Sequence, residues 1–279
     1  MKKISLGRMI LKPASFLIAF EKYRKAKFIC LLLFPLLACS SGKKEHAEDK
    51  LAEADLVAKL QDTTVVEAHT MVALDTGKLE KRLIDAGLVN IQELLPEVQV
   101  ALKYSTEDNF FGKDVYGELS RCYMQPEVAE MLKIAYRELK SRHPDLTFLV
   151  YDAVRPQSVQ QILWDELDKP DSIKPLYVAD PQKGSLHNFG VAVDLTLAYA
   201  GSGEPLDMGT GYDFFGYAAY PDREKEMLAA GKISQEQVAN RKILREVMLA
   251  AGFTGIGSEW WHFNAYSRKV AGEKFDIVK

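Results

Sequence analysis

Apolar residues recur at helical spacing in three stretches of the chain, and this pattern predicts three long helices. The stretches run over about residues 126–142, 156–167 and 235–251. Pro126 and Pro156 open the first two, where the missing N–H of proline is tolerated. Gly252 follows the third as a helix-ending residue.

Four shorter stretches have strand character, at about residues 99–104, 146–151, 190–197 and 259–264. They do not alternate regularly with the helices, so we predict an α+β fold with a small, mostly antiparallel central sheet flanked by helices. Within 190–197 the apolar residues Val191, Val193, Leu195 and Leu197 share one face. Asp194 lies on the other face, where a cleft residue would stand.

The N-terminus predicts export. Six residues rich in Lys and Arg, 22–27, precede the apolar run 28–37, which is too short to span a bilayer comfortably. The tetrad Leu36-Leu37-Ala38-Cys39 resembles a bacterial lipobox, which implies cleavage before Cys39 and acylation of that residue. We therefore expect a lipoprotein signal peptide at 1–38 and a lipid-anchored protein in the cell envelope, at the periplasmic face of a bacterial membrane.

Composition divides the remaining chain in two. Residues 39–85 are polar and poor in apolar positions, which predicts a solvated tether, whereas 86–279 have the density of a folded domain. Eight of the 36 Lys and Arg residues and one of the 39 acidic residues lie in 1–38, so the rest carries a net charge of about −10. A chain this acidic is not expected to bind nucleic acid. Nothing in the sequence specifies an oligomeric state.

Two glycine-containing segments carry the candidate chemistry. The first runs from Ser185 through His187 to Asp194, and the second contains Glu259 and His262. Two imidazoles and one carboxylate form a common zinc ligand set, and a nearby glutamate can serve as a general base. Spacing alone leaves two hypotheses open, a metal hydrolase and a pair of structural histidines.

One geometric conflict accompanies the metal hypothesis. In a regular strand, residues 259 and 262 face opposite sides. Gly255 and Gly257 precede them, and a bulge or loop there would be needed to direct Glu259 and His262 to the same side.

The motifs Ser185-x-His187-x6-Asp194 and Glu259-Trp-Trp-His262 resemble those of zinc D-alanyl-D-alanine dipeptidases. Four further stretches are similar to the same family: 103–113, 151–156, 208–215 and 240–248. The resemblance runs in order from about residue 90 to 277. It implies hydrolysis of the D-alanyl-D-alanine dipeptide in the cell envelope, with one zinc ion per chain held in the cleft.

The resemblance also implies residue roles. His187, Asp194 and His262 would be the zinc ligands, and Glu259 would be the catalytic base. Arg155 would stabilise the oxyanion, although a simple pairing with Asp152 is the alternative. For the small-molecule substrate, Tyr104 and Asp213 would hold the ammonium group, and Ser185 would line the pocket near the carboxylate.

Two other functions stay open at this point. One is a peptidoglycan D,D- or L,D-carboxypeptidase of the same clan. The other is a non-catalytic zinc module that binds wall fragments, which conflicts with the complete set formed by Glu259 and the three ligands.

Overall fold

A five-stranded mixed sheet organises the part of the chain that the computed structural model describes, residues 76–117 and 119–279. The strands of this part are, in chain order, Val89–Asn90 (β1), Gln99–Val100 (β2), Tyr123–Met124 (β3), Leu146–Asp152 (β4), Ala192–Tyr199 (β5), Thr254–Ile256 (β6) and Glu259–Asn264 (β7). The main sheet has the order β2-β4-β5-β7-β6, and β1 pairs with β3 in a separate two-stranded sheet. Strands β4, β5 and β7 confirm three of the predicted strands.

The prediction of a mostly antiparallel sheet was wrong in one respect. β2 lies parallel to β4, whereas the other three strand pairs of this sheet are antiparallel. The chain between β2 and β4 contains β3 and a long helix, and this crossover returns it to the sheet in the same direction. The sheet is therefore mixed.

Helices cover the sheet and its ends. In the described residues they are Thr76–Asp85 (α1), Ile91–Leu94 (α2), Pro126–Arg142 (α3), Gln157–Asp165 (α4), Glu224–Ala229 (α5), Gln235–Ala250 (α6) and Arg268–Lys274 (α7). Helices α3, α4 and α6 confirm the three predicted helices to within two residues at each end. None of the helices in this part of the chain is long and apolar enough to cross a bilayer.

The core lies between the sheet and two of these helices, α3 and α6. Leu132 and Leu139 of α3, Leu244 of α6 and Leu195 and Leu197 of β5 are fully buried in it. Each such side chain contributes about 1.5–3 kcal/mol to the stability of the fold. The apolar face predicted for residues 190–197 is thus the core face, and Asp194 lies on the opposite side of the sheet.

The first helix extends the packed region beyond the predicted boundary. Leu79 and Leu83 of α1 are fully buried, although the sequence analysis assigned them to the tether. Two apolar residues in a polar stretch are too few to predict a docked helix. The segment 1–38, Cys39 and most of the tether lie outside the described residues.

Two irregularities in strand pairing place the functional residues. The register between β4 and β5 shifts after Val150, so Asp152 rather than Tyr151 lies opposite Asp194. The register between β6 and β7 shifts between Gly255 and Ile256. Bulges of this kind redirect side chains relative to a regular strand.

We expect the substitution Gly190→Ala to lower the free energy of unfolding by about 1–2 kcal/mol, because Gly190 has a φ of 68° and the left-handed region is costly for alanine. An added Cβ would also lie 3.1 Å from Leu88 Cδ2. Urea denaturation measures the change. Gly272→Ala is the control: this glycine lies within α7 in open space, so alanine should raise stability by about 0.5–1 kcal/mol. Equal effects of the two substitutions would contradict the assignment.

Candidate metal and substrate site

Asp194 lies at the centre of a row of polar side chains on the face of the sheet away from the core. It pairs with Asp152 on β4 and with His262 on β7. His187 comes from the short 3-10 helix Leu186–Phe189, which directly precedes β5. The fold therefore brings the three predicted metal ligands together.

The ligand atoms of these three residues converge. His187 Nε2 lies 3.4 Å and His262 Nδ1 lies 2.9 Å from Asp194 Oδ1, and the two nitrogens are 3.2 Å apart. All three side chains are buried. Among the described residues, this is the only group of three or more His, Cys, Asp or Glu side chains whose ligand atoms are close enough together to hold a metal ion.

Other hydrogen bonds determine which ring nitrogens face inward. His187 Nδ1 donates to the carbonyl of Ala153 at 2.6 Å, and His262 Nε2 donates to Asn264 Oδ1 at 2.9 Å. In the neutral form of each ring, His187 Nε2 and His262 Nδ1 carry no proton and face Asp194 Oδ1, so they can coordinate a cation. Asp194 is held in the same way: its Oδ2 accepts from the Tyr212 hydroxyl at 2.9 Å, so Oδ1 remains for a metal. Two imidazole nitrogens and one carboxylate oxygen fit zinc.

The pKa values of the ligands show that the site favours positive charge. Burial would raise the pKa of Asp194, but the charge and hydrogen bonds of the two histidines outweigh burial and hold that pKa well below its usual value. Burial alone would lower the pKa of His262, but the hydrogen bond and charge of Asp194 outweigh burial and raise this pKa to about 9. The carboxylate thus stabilises a cation in its immediate surroundings.

Arg155 stands beside the ligand cluster and is held by Asp152. Its Nε and Nη2 both donate to Asp152 Oδ2, at 2.9 and 2.6 Å, and Nη1 donates to Gln160 at 3.2 Å. Tyr116 donates to the other oxygen of Asp152 at 2.8 Å. The pairing that the sequence analysis considered as the alternative is present. A guanidinium has five N–H groups, so two remain beyond these three bonds.

Arg155 also faces the metal ligands. Its Nη2 lies 4.0 Å from Asp194 Oδ2, and the side chain is about one-tenth exposed. Pairing with Asp152 and donation to a substrate oxygen are therefore compatible, and a fixed, partly desolvated guanidinium is suited to stabilise developing negative charge.

Glu259 reaches the cluster because of the irregularity at the start of β7. Ile256 pairs with Glu259 whereas Gly255 pairs with Phe263, so residues 260–262 bulge relative to β6. Glu259 Oε2 then lies 3.9 Å from His262 Nδ1, which resolves the strand-parity conflict. Burial raises the pKa of Glu259 above its ordinary value, and Asp194 adds to this effect. A carboxylate with a raised pKa is suited to accept and release a proton.

Asp213 and Tyr104 form a second polar group at the same site. The Tyr104 hydroxyl donates to Asp213 Oδ2 at 3.0 Å. Burial, followed by the charge of Asp194, raises the pKa of Asp213 well above its usual value. No Lys, Arg or His among the described residues forms an ion pair with Asp213, so a ligand cation would be well stabilised there.

Ser185, which the sequence analysis predicted to line the pocket, also caps the short helix that carries His187. It is the N-cap of the 3-10 helix that carries His187, and its Oγ accepts from the His187 N–H at 3.3 Å. Asn188 completes the capping box and donates to the Arg155 carbonyl at 2.6 Å. The short helix thus ties a ligand histidine to the backbone of the arginine.

The part of the chain that contains the site matches a known peptidase family. A family model of the peptidase M15 type, described as D-ala-D-ala dipeptidase, matches residues 84–279. This chain belongs to that family. All eight predicted site residues lie within the matched range.

Members of the D-ala-D-ala dipeptidase family align with most of the domain. A D-alanyl-D-alanine dipeptidase of Escherichia coli (strain K12) is 36% identical over 178 residues, which cover 63% of this chain and 83% of that protein. One of Enterococcus faecium is 30% identical over 211 residues, covering 70% of this chain and 98% of that protein. The chain is a dipeptidase that hydrolyses D-alanyl-D-alanine.

Solved structures give a more distant likeness. A variant of a vancomycin-resistance D,D-pentapeptidase in complex with Zn(II) has 16% sequence identity and a TM-score of 0.33, covering 56% of this chain and 80% of that chain. At this distance the likeness supports no argument about the site.

Four side chains that support the dipeptidase site were missed by the sequence analysis: Tyr116, Asn188, Tyr212 and Asn264. Asn264 could have been found, because it lies two residues after His262 and so shares its strand face. Tyr116, Asn188 and Tyr212 contact the site through loops and turns, and a hydrophobic pattern has no signal for such contacts.

We expect Asn264→Ala to weaken divalent metal binding by about 10- to 100-fold, because it removes the acceptor that orients the His262 ring. Competition for zinc with a chromogenic chelator measures the change. The matched control is Asn90→Ala: both asparagines are 8% exposed, but Asn90 caps α2 and has no contact with the ligands. Wild-type affinity in Asn264→Ala, or an equal loss in both variants, would contradict this role.

Proposed function

We propose that His187, Asp194 and His262 hold one Zn²⁺ per chain and that Glu259 is the base of the dipeptidase reaction. The observation that supports this most strongly is the convergence of three ligand atoms whose protonation is determined by other partners. Hydrogen-bond partners that fix which atoms are free to coordinate are typical of metal sites, and a site that binds no metal does not need them.

The zinc, when bound, supplies a Lewis acid and lowers the pKa of a water molecule in its coordination sphere. The remaining steps belong to side chains. Glu259 accepts the proton of the attacking water at a carboxylate oxygen and passes it to the amine that leaves. The two remaining N–H groups of Arg155 donate to the oxyanion of the tetrahedral intermediate, and Asp152 keeps the guanidinium in place.

Asp213 is proposed to bind the ammonium group of the dipeptide. A substrate ammonium would supply a positive charge next to the Asp213 carboxylate, and its binding would lower the raised pKa of Asp213. Tyr104 acts on the same group indirectly, since its hydroxyl is bonded to Asp213. We place Ser185 at the carboxylate end of the pocket. A free ammonium buried here would favour a dipeptide over a longer peptide, whose corresponding nitrogen is an amide.

We expect Glu259→Gln to retain the metal and to lower kcat by about 10²- to 10⁴-fold, because the amide cannot accept a proton. Atomic absorption measures metal per chain, and release of D-alanine measures turnover. Unchanged turnover in Glu259→Gln would remove Glu259 from the mechanism.

The proposed location is the cell envelope, with a lipid on Cys39. The basic residues 22–27, the apolar run 28–37 and the small residues around Cys39 support this proposal. Several acyl chains on one residue give a stable anchor, since each buried CH₂ contributes about 0.8 kcal/mol.

We expect Cys39→Ser to move the protein from the membrane fraction to a soluble fraction when the full chain is expressed in a bacterium, because the acylated thiol is lost. Fractionation and labelling with a radioactive fatty acid measure the change. Cys30→Ser, in the apolar run of the same leader, is the control and should keep both label and membrane association. A labelled, membrane-bound Cys39→Ser protein would disprove lipid attachment at this residue.

A further inference from the structure

One face of α6 holds the segment that carries Asp213. Gln237 donates to Asp207 Oδ2 at 2.8 Å, and Asn240 donates to the Asp207 carbonyl at 2.9 Å. Arg241, the next residue, donates to two further carbonyls of this segment. We call residues 207–218 the ammonium segment, because Asp213 lies near its middle.

Arg241 joins the two ends of the ammonium segment. Its Nε donates to the Met208 carbonyl at 2.7 Å, and its Nη2 donates to the Ala218 carbonyl at 2.8 Å. Nε and Nη2 lie on the same edge of a guanidinium, so the two carbonyls are held side by side. The bridge closes the segment into a loop of fixed width.

The burial of Arg241 shows how firmly the bridge is held. Only 1% of the residue is exposed, and Nη1 has no hydrogen-bond partner in the described part of the chain. The nearest carboxylate is that of Glu224, 3.8 Å from Nη1. A buried guanidinium is costly unless it is paired and hydrogen-bonded, so the two carbonyl bonds largely determine its position.

The conformation of the segment needs such support. Asp213 has a φ of 57° and is the only non-glycine residue with a positive φ in the described part of the chain. An aspartate in this region is strained and persists when its surroundings over-determine it. Trp260 adds a third tie, because its Nε1 donates to Thr210 Oγ1 at 2.8 Å and its ring lies against Arg241.

We infer that Arg241 is a positioning residue for substrate binding: by bridging Met208 and Ala218 it holds Asp213 where the substrate ammonium is bound. This inference rests on the proposed role of Asp213. Arg241 touches neither the metal ligands nor the substrate, and its effect passes through the backbone of the ammonium segment.

The test compares two ligands that differ only in the ammonium group. D-Alanyl-D-alanine is the substrate, and propionyl-D-alanine is the same molecule without its amine, used as a competitive inhibitor. The metal-loaded protein is examined as Arg241→Met, as Asn240→Ala and as Asp213→Asn. Lys242→Met is the control, because Lys242 lies next to Arg241 on α6 but is exposed and pairs with Glu246 of the same helix, away from the ammonium segment.

We expect Arg241→Met to raise KM for D-alanyl-D-alanine by about 10-fold or more, since a displacement of 1 Å is enough for such losses. The inhibition constant of propionyl-D-alanine should rise by a clearly smaller factor, because that ligand does not use Asp213 and is affected only through Tyr212, which bonds Asp194. Asn240→Ala should show the same selectivity with a smaller change, and it serves as the test if Arg241→Met does not fold. Lys242→Met should leave both constants unchanged.

The results separate this inference from the proposed function. If Asp213→Asn raises KM selectively but neither Arg241→Met nor Asn240→Ala does, the positioning role is disproved and the ammonium site stands. Equal weakening of both ligands in Arg241→Met would show a general structural role and would also overturn the inference. An unchanged KM in Asp213→Asn would instead overturn the ammonium site itself.

Discussion

The pairing of Asp194 with its neighbours on both sides is the constraint on which the site depends. β5 lies between β4 and β7, and its register puts Asp194 opposite Asp152 on one side and His262 on the other. A slip of one residue would turn Asp194 into the core and bring Val193 or Leu195 into the site. The apolar face of β5, buried against α3 and α6, therefore fixes the position of the proposed metal ligands.

The charges of the site form a second, linked constraint. Arg155 is hydrogen-bonded to Asp152 and lies 4.0 Å from Asp194, whereas no Lys or Arg of the described residues forms an ion pair with Asp213 or Glu259. Burial and the charge of Asp194 raise the pKa of both Asp213 and Glu259. In the proposed function, a divalent metal and a substrate ammonium add positive charge beside these carboxylates. The proposed cofactor and substrate thus satisfy the same electrostatic demand that the pKa shifts record.

The sequence predicted the long elements and named three candidate metal ligands that the fold brings together, but it did not predict the strand pairing that aligns them. Helices α3 and α6 and the alternation of β5 follow from local periodicity, which depends on near neighbours in the chain. The two bulges that align Asp152 and Glu259 depend on strand pairing over a distance, and no local pattern encodes them. A strand was predicted at 99–104, but the parallel pairing of β2 was missed for the same reason, as were contacts through loops such as that of Tyr212 with Asp194.

The position of Tyr104 differs from what a direct contact with the substrate ammonium would need. The residue is 2% exposed, and its hydroxyl donates to Asp213, so it has little surface left for an ammonium group. Its ring lies 4.8 Å from the Arg155 guanidinium and packs edge-on against Tyr116, which in turn bonds Asp152. Movement of Tyr104 would therefore disturb the oxyanion partner and the ammonium partner together. In the proposed function the substrate spans Arg155 and Asp213, so one rigid ring that fixes their separation would also limit the length of peptide that can be cleaved.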